Sequence, residues 1–218
     1  YFDAYRIDHV LGFFRIWQIP LDAIHGLLGF FNPALPMTPD EMLHLYDFHF
    51  SAGYHAVPYI ADWMLTDIFG EFTDQVRAEY LQPLDDDPSR YSLRPEFSTQ
   101  RRIADYFAAQ PSDQRSERIC NGLMELLDQV LFIADPYQPG HYHPRIAAQY
   151  TFAYRSLNDY ERMTFNRLYD DFFYHRHNGF WYESAMSKLP AITDATDMLV
   201  CAEDLGMIPA CVPDVMRR

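Results

Sequence analysis

The chain opens on Tyr1-Phe2-Asp3-Ala4-Tyr5-Arg6-Ile7-Asp8-His9, and near its other end runs Met198-Leu199-Val200-Cys201-Ala202-Glu203-Asp204-Leu205-Gly206. Each stretch reads as a short buried strand, Phe2–Asp8 and Met198–Ala202, that runs into acidic residues and then a glycine. Strand alternation puts Phe2, Ala4, Arg6 and Asp8 on one face of the first. It puts Glu203 on the Leu199/Cys201 face of the second, with Asp204 turned the other way. Charges at a strand end must be paired or wet, so neither ending is a packing choice. Two strands whose carboxyl ends carry acids suit successive strands of a (β/α)8 barrel, where active sites gather at that end. A strand-to-strand unit of such a barrel takes about 30 residues. Asp8 and Glu203 lie 195 positions apart, which demands an insertion.

The intervening sequence reads as mostly helical. Val10 to Pro20 is apolar and aromatic, with a turn at Gly12. Residues 21 to 60 are broken by prolines and glycines, with one short helix capped by Thr38 ahead of Pro39-Asp40-Glu41. Helices are expected over Val57–Phe69, with Gly70 as the stop, and over Thr73–Tyr80. Pro83 to Pro95, carrying Asp85-Asp86-Asp87, reads as an acidic loop. Further helices are expected from Ser98 to Ala109, and from Pro111-Ser112 to about Phe132. Asp135–Pro144 reads as a loop. From Asp159 a helix carries Met163, Phe165, Leu168, Tyr169, Phe172 and Phe173 as a core stripe. Tyr182–Lys188 and Val212–Arg217 complete the set. The expected division is 1–30 for the first strand and its loop, 31–157 for the helical insertion, and 158–218 for a helix, the second strand and the next helix.

Composition narrows the class. The chain has 218 residues, a net charge of −14, and 17% aromatics. That charge argues against a reader of nucleic-acid backbones and against anionic membranes. No run of 18 apolar residues occurs, so no bilayer span is expected. Aromatic faces stack on sugar rings, although large cores collect aromatics too. Cys120, Cys201 and Cys211 form no CxxC pair, which suits a reducing, cytoplasmic setting. No initiator Met or signal-peptide pattern is present, and the start reads as the interior of an element, so a segment of a longer protein is expected.

The strand ends offer specific chemistry. Arg6 and Asp8 project from one face, and an arginine beside an aspartate favours and orients the ionised form. That serves a nucleophile in glycosyl transfer, and equally a structural ion pair. Glu203 follows an apolar run that would keep a carboxyl protonated as a general acid. It also stands where an acid complements a following helix. Together the two fit a retaining mechanism, which needs carboxyls about 5–5.5 Å apart.

Arg6-Ile7-Asp8-His9, with Gly12-Phe13, Trp17 and Pro20, resembles the nucleophile strand of the 4-α-glucanotransferases (amylomaltases, or disproportionating enzymes; glycoside hydrolase family 77). Ala202-Glu203-Asp204-Leu205-Gly206 resembles their acid/base strand. Phe13-Phe14-Arg15-Ile16-Trp17 is similar to the disproportionating-enzyme-2-like branch, which carries a long insertion between the two. The resemblance implies an α/β fold, here an internal segment of the barrel. It implies Asp8 as nucleophile, Glu203 as acid/base and Arg6 as the group that orients Asp8. His9, Asp204 and Trp17 are implied on the substrate side. Maltose and maltooligosaccharides would be the glucans, with a glycogen-like or heteroglycan acceptor, and no cofactor is implied. Gln18 departs from the glutamate of the usual pattern. The family's third carboxylate motif does not occur in this sequence, so these residues alone are expected to be inactive. An α-amylase-like hydrolase and a non-catalytic helical glucan-binding module are the rival readings.

Other motifs are weaker. His141-x-His143 and His175-x-His177 have the spacing of a metal pair on a strand, but no third ligand stands nearby, and no metal site is expected. Asp85 to Asp87 lacks the pattern of a calcium loop. No GxSxG, P-loop or GxGxxG is present. Trp63, Tyr91, Trp181 and Tyr182 could line a glucan groove or fill core.

Overall fold

A computed structural model describes residues 2–85, 87–111 and 113–217. Tyr1, Asp86 of the acidic loop and Ser112 of the expected helix start lie outside the described residues. In chain order the elements are β1 (Ala4–Ile7), β2 (Ile16–Gln18), β3 (Phe30–Asn32), α1 (Pro39–Tyr46), α2 (Ala52–His55), α3 (Asp62–Phe69) and α4 (Thr73–Glu79). Next come β4 (Leu81–Pro83), β5 (Tyr91–Leu93), α5 (Gln100–Ala108), α6 (Gln114–Leu127), β6 (Phe132–Ala134) and β7 (Tyr142–Pro144). Then follow α7 (Phe152–Arg155), α8 (Asp159–Asp170), α9 (Asn178–Met186), α10 (Leu189–Thr193), β8 (Leu199–Ala202) and α11 (Val212–Met216). The described residues form four two-stranded sheets, not a closed barrel. None of their helices is long and apolar enough to cross a membrane.

The chain divides into two compact units. The first comprises residues 1–18, 31–36 and 165–218. Its centre is the parallel pair β1–β8, in the register Ala4↔Leu199, Tyr5↔Val200, Arg6↔Cys201 and Ile7↔Ala202. Helices cover one face: the Tyr5 hydroxyl donates to the Ile192 carbonyl at 3.3 Å. Ile7 and Val200 share a cavity of about 450 Å³ with Met186, Leu189 and Pro190. The other face, bearing Ala4, Arg6, Leu199 and Cys201, is exposed. The sequence suggested short buried strands; with helices on one side only, each is half covered. Beside the pair, Phe31 meets Trp17, Phe173 and Trp181 edge-on. The stripe on α8 and the π-helical turn after it is core as expected at Phe165, Leu168, Phe172 and Phe173, whereas Met163 is half exposed.

The second unit comprises residues 19–30 and 37–164. Thr38 caps α1 with a full capping box to Glu41. That reciprocal pair satisfies two of the amide donors every helix start leaves open. Gly70 ends α3 at φ 58°, a backbone region that favours glycine. The start of α3 differs from expectation: Tyr59 and Asp62 donate to the carbonyls of Gln129 and Ser89, so Pro58–Ala61 is extended and helix begins only at Asp62. Two caps move by one residue. Thr99, not Ser98, caps α5, and Asn158, not Asp159, exchanges bonds with Glu161 ahead of α8. Two expected loops are antiparallel hairpins, β4–β5 and β6–β7. α6 stops at Leu127, and Phe132 begins a strand instead.

Candidate active site

Local backbone geometry brings the two strand ends together. Glu203 continues the ladder beyond Ala202: its N–H donates to the Ile7 carbonyl at 3.0 Å. In a regular parallel ladder its carbonyl would next receive the N–H of residue 9. It receives that of Val10 instead, at 2.8 Å. The slip arises at His9, which adopts the left-handed conformation, φ 51° and ψ 58°. The His9 N–H is thereby released from the ladder and donates to Glu203 Oε2 at 2.9 Å. Residues 7, 9 and 10 thus all bond Glu203 and bracket Asp8.

Asp8 follows Arg6 on the exposed face, and Arg6 Nη2 stands 2.6 Å from Asp8 Oδ1. Cys201 pairs with Arg6, so Glu203 belongs to the same face of the neighbouring strand. Adjacent strands lie roughly 4.8 Å apart, the scale of the carboxyl spacing in retaining glycosyl transfer. Glu203 is half-buried, while its strand neighbours Leu199 and Cys201 are exposed, so the apolar surroundings read from the sequence are absent on this face.

A family model for 4-alpha-glucanotransferases, glycoside hydrolase family 77, matches residues 1–218. The chain belongs to this family. The 4-alpha-glucanotransferase DPE2 of Oryza sativa subsp. japonica is 34% identical over 224 residues, covering 100% of this chain and 23% of that protein. The chain therefore spans about a quarter of the length of this curated relative. No solved structure gives a significant match.

Within this glucanotransferase-family chain, the remaining sequence-picked residues divide. Asp204 and His9 are exposed beside the strand ends. Trp17 is half-buried, and its ring packs edge-on against Phe31, with centroids 4.8 Å apart. The two members of each histidine pair have different surroundings. His143 is buried, with Nε2 2.7 Å from Asp135 Oδ2, and it stacks on Phe30. Burial pulls its pKa down, and Asp135 opposes that. His141 lies against the Pro139 carbonyl. His177 is buried against Trp181 with centroids 4.5 Å apart, whereas His175 is exposed beside Asp170. No group of three or more metal-ligating side chains occurs among the described residues. Of the aromatics singled out earlier, Trp181 is core, Tyr91 and Tyr182 are half-buried, and Trp63 is half exposed.

Sequence reasoning missed two features of this unit. Arg15 is buried, its guanidinium 4.0 Å from the centre of the Phe31 ring and 4.8 Å from that of Trp181. Its Nη2 donates to the Met207 carbonyl at 2.5 Å, tying the segment after Asp8 to the loop after Glu203. Six apolar or aromatic residues flank Arg15 in Val10–Trp17, and that was its only signal. The second is the His9 main-chain donor. Histidine is among the few non-glycine types enriched at positive φ, a weak hint at best.

Proposed function

We propose that this chain carries the nucleophile and the acid/base of a retaining 4-α-glucanotransferase, on two successive strands of a (β/α)8 barrel. The parallel β1–β8 pair, with Asp8 and Glu203 on one face at its carboxyl ends, is the observation that carries this reading. Asp8 attacks C1 of the donor glucan and forms a glycosyl ester. The bond from C1 to the leaving oxygen breaks, and Glu203 protonates that oxygen. Glu203 then takes the proton of an incoming 4-hydroxyl, which attacks C1 and returns Asp8 as carboxylate. Arg6 pairs with Asp8 and orients it. An exposed ion pair contributes only about 0–1 kcal/mol to stability, so a purely structural purpose for Arg6–Asp8 explains little. Asp204 and Trp17 lie on the substrate side, and His9 follows Asp8 with its main-chain N–H on Glu203.

The substrates in this reading are maltose and maltooligosaccharides, with a glycogen-like or heteroglycan acceptor. The three cysteines are free, which accords with a cytoplasmic setting. The deciding experiment uses the complete polypeptide that carries this chain, with maltose as donor and glycogen as acceptor. Asp8→Asn and Glu203→Gln each reduce transfer by at least a thousandfold, and mass spectrometry of a trapped intermediate places the glycosyl ester on Asp8. An ester on another residue, or transfer that survives Asp8→Asn, overturns the assignment.

A further inference from the structure

We infer that position 9 serves this reaction through its main chain: the left-handed residue after Asp8 aims its N–H at one oxygen of Glu203 and so sets which oxygen delivers the proton. The inference rests on the assignment of Asp8 and Glu203 above.

Three observations carry it. The His9 N–H donates to Glu203 Oε2 at 2.9 Å. That amide is available only because φ 51° and ψ 58° at His9 pass the ladder bond on to Val10. The other oxygen, Oε1, makes no hydrogen bond to any described residue. A carboxyl with one oxygen receiving an N–H carries its transferable proton on the other. The free oxygen therefore faces the leaving group as O–H in the first half-reaction and receives the acceptor's hydroxyl proton in the second. His9 is a positioning residue in this scheme, acting through Glu203. The imidazole is not required for that action, whereas the backbone conformation is.

Left-handed geometry is open to glycine, tolerated by asparagine and costly for β-branched residues, so substitution can separate main chain from side chain. In the complete polypeptide with maltose as donor, activity should fall in the order His9→Gly, His9→Asn, His9→Ala, His9→Val. Glycine should exceed valine at least tenfold in kcat, with KM changing less than threefold. An imidazole contact to sugar would instead make glycine as poor as valine, or raise KM, and either result overturns the inference. α-Maltosyl fluoride supplies the second readout. Its C1–F bond breaks to release fluoride ion, so Asp8 can be glycosylated without a proton from Glu203. First-turnover fluoride release by His9→Val should stay within threefold of the parent. A tenfold loss there means that the valine disturbs Asp8 or the fold, and it overturns the inference. If His9→Val does not fold, the ranking of glycine, asparagine and alanine decides on the same criteria. Asp8→Asn, run alongside, tests the underlying assignment separately: fluoride release that survives it removes the nucleophile, whatever position 9 does.

Discussion

The Phe69 ring lies so close over Gly122 that a Cβ added at Gly122 would stand 2.3 Å from the nearest ring carbon. Phe69 is fully buried at the end of α3, and Gly122 lies buried in the middle of α6. Glycine is poor helix former, so its presence there reflects contact between the helices, not local propensity. Gly122→Ala should gain helix propensity yet destabilise the second unit by about 1–3 kcal/mol through overpacking. Urea denaturation followed by tryptophan fluorescence measures it. The double variant Gly122→Ala/Phe69→Leu should recover part of the loss, and failure to recover any would place the strain elsewhere.

His55 sits among Phe48, Phe50 and Tyr54, and its Nδ1 accepts the Ser51 N–H at 2.9 Å. Burial pulls its pKa down to about 4, against a smaller upward pull from Glu161. The unfolded chain takes up the proton first as pH falls. The neutral-ring contribution is therefore full above pH 6.5 and is lost progressively toward pH 4, amounting to about 3 kcal/mol. His55→Asn keeps an acceptor for Ser51 but does not titrate. Its unfolding free energy should be flatter between pH 6.5 and 4 than that of the parent, and parallel pH curves would remove His55 as the cause.

Asp135 holds three donors at once. Its Oδ1 receives the N–H groups of Tyr137 and Gln138, both at 2.7 Å, and its Oδ2 meets His143. Asp135→Ala leaves the buried His143 without this partner and opens the exposed turn at Tyr137 and Gln138, so a loss of about 2–3 kcal/mol is expected. Thermal unfolding monitored by circular dichroism checks this. A change below 1 kcal/mol would show that the β6–β7 hairpin finds other partners.

Arg15 reverses the usual ranking of conservative substitutions. Burial pushes its pKa down to about 10, so it is charged at neutral pH. Its flat guanidinium fits between Phe31 and Trp181. A lysine ammonium is compact and more strongly hydrated, and it cannot stack in that way. Arg15→Lys should cost about 2 kcal/mol, and Arg15→Met, which fills the slot without a charge to desolvate, should cost less. Equal melting temperatures for the two would deny the stacking argument.

The sequence was most legible where one residue type has one physical use. Thr38 ahead of Pro39 and Glu41 announced a cap, Gly70 a stop, and the two acid-ended apolar runs a pair of strands. It was least legible where partners come from far along the chain. The extended Pro58–Ala61 run depends on carbonyls at Gln129 and Ser89, which no local pattern reveals. Phe132–Ala134 and Tyr142–Pro144 are three residues each, too short for alternation to show, and Pro136 and Pro139 between them disguised a hairpin as a loop. For the candidate site, the two acid-ended strands and their order were readable from sequence. The donor on Glu203 was not, because a backbone amide has no letter of its own.

The β1–β8 ladder joins residues about as far apart as this chain allows, and that separation has a consequence during synthesis. At about 5–20 residues per second, β1 waits roughly 10–40 s before β8 exists to pair with it. Until then Ala4–Ile7 is an unpaired edge, the kind of surface on which nascent chains stick to one another. Charged side chains along such an edge are the usual defence. Arg6 and Asp8 supply both signs of charge at its end. On the growing chain, the same two residues stand where they would guard that edge against its neighbours.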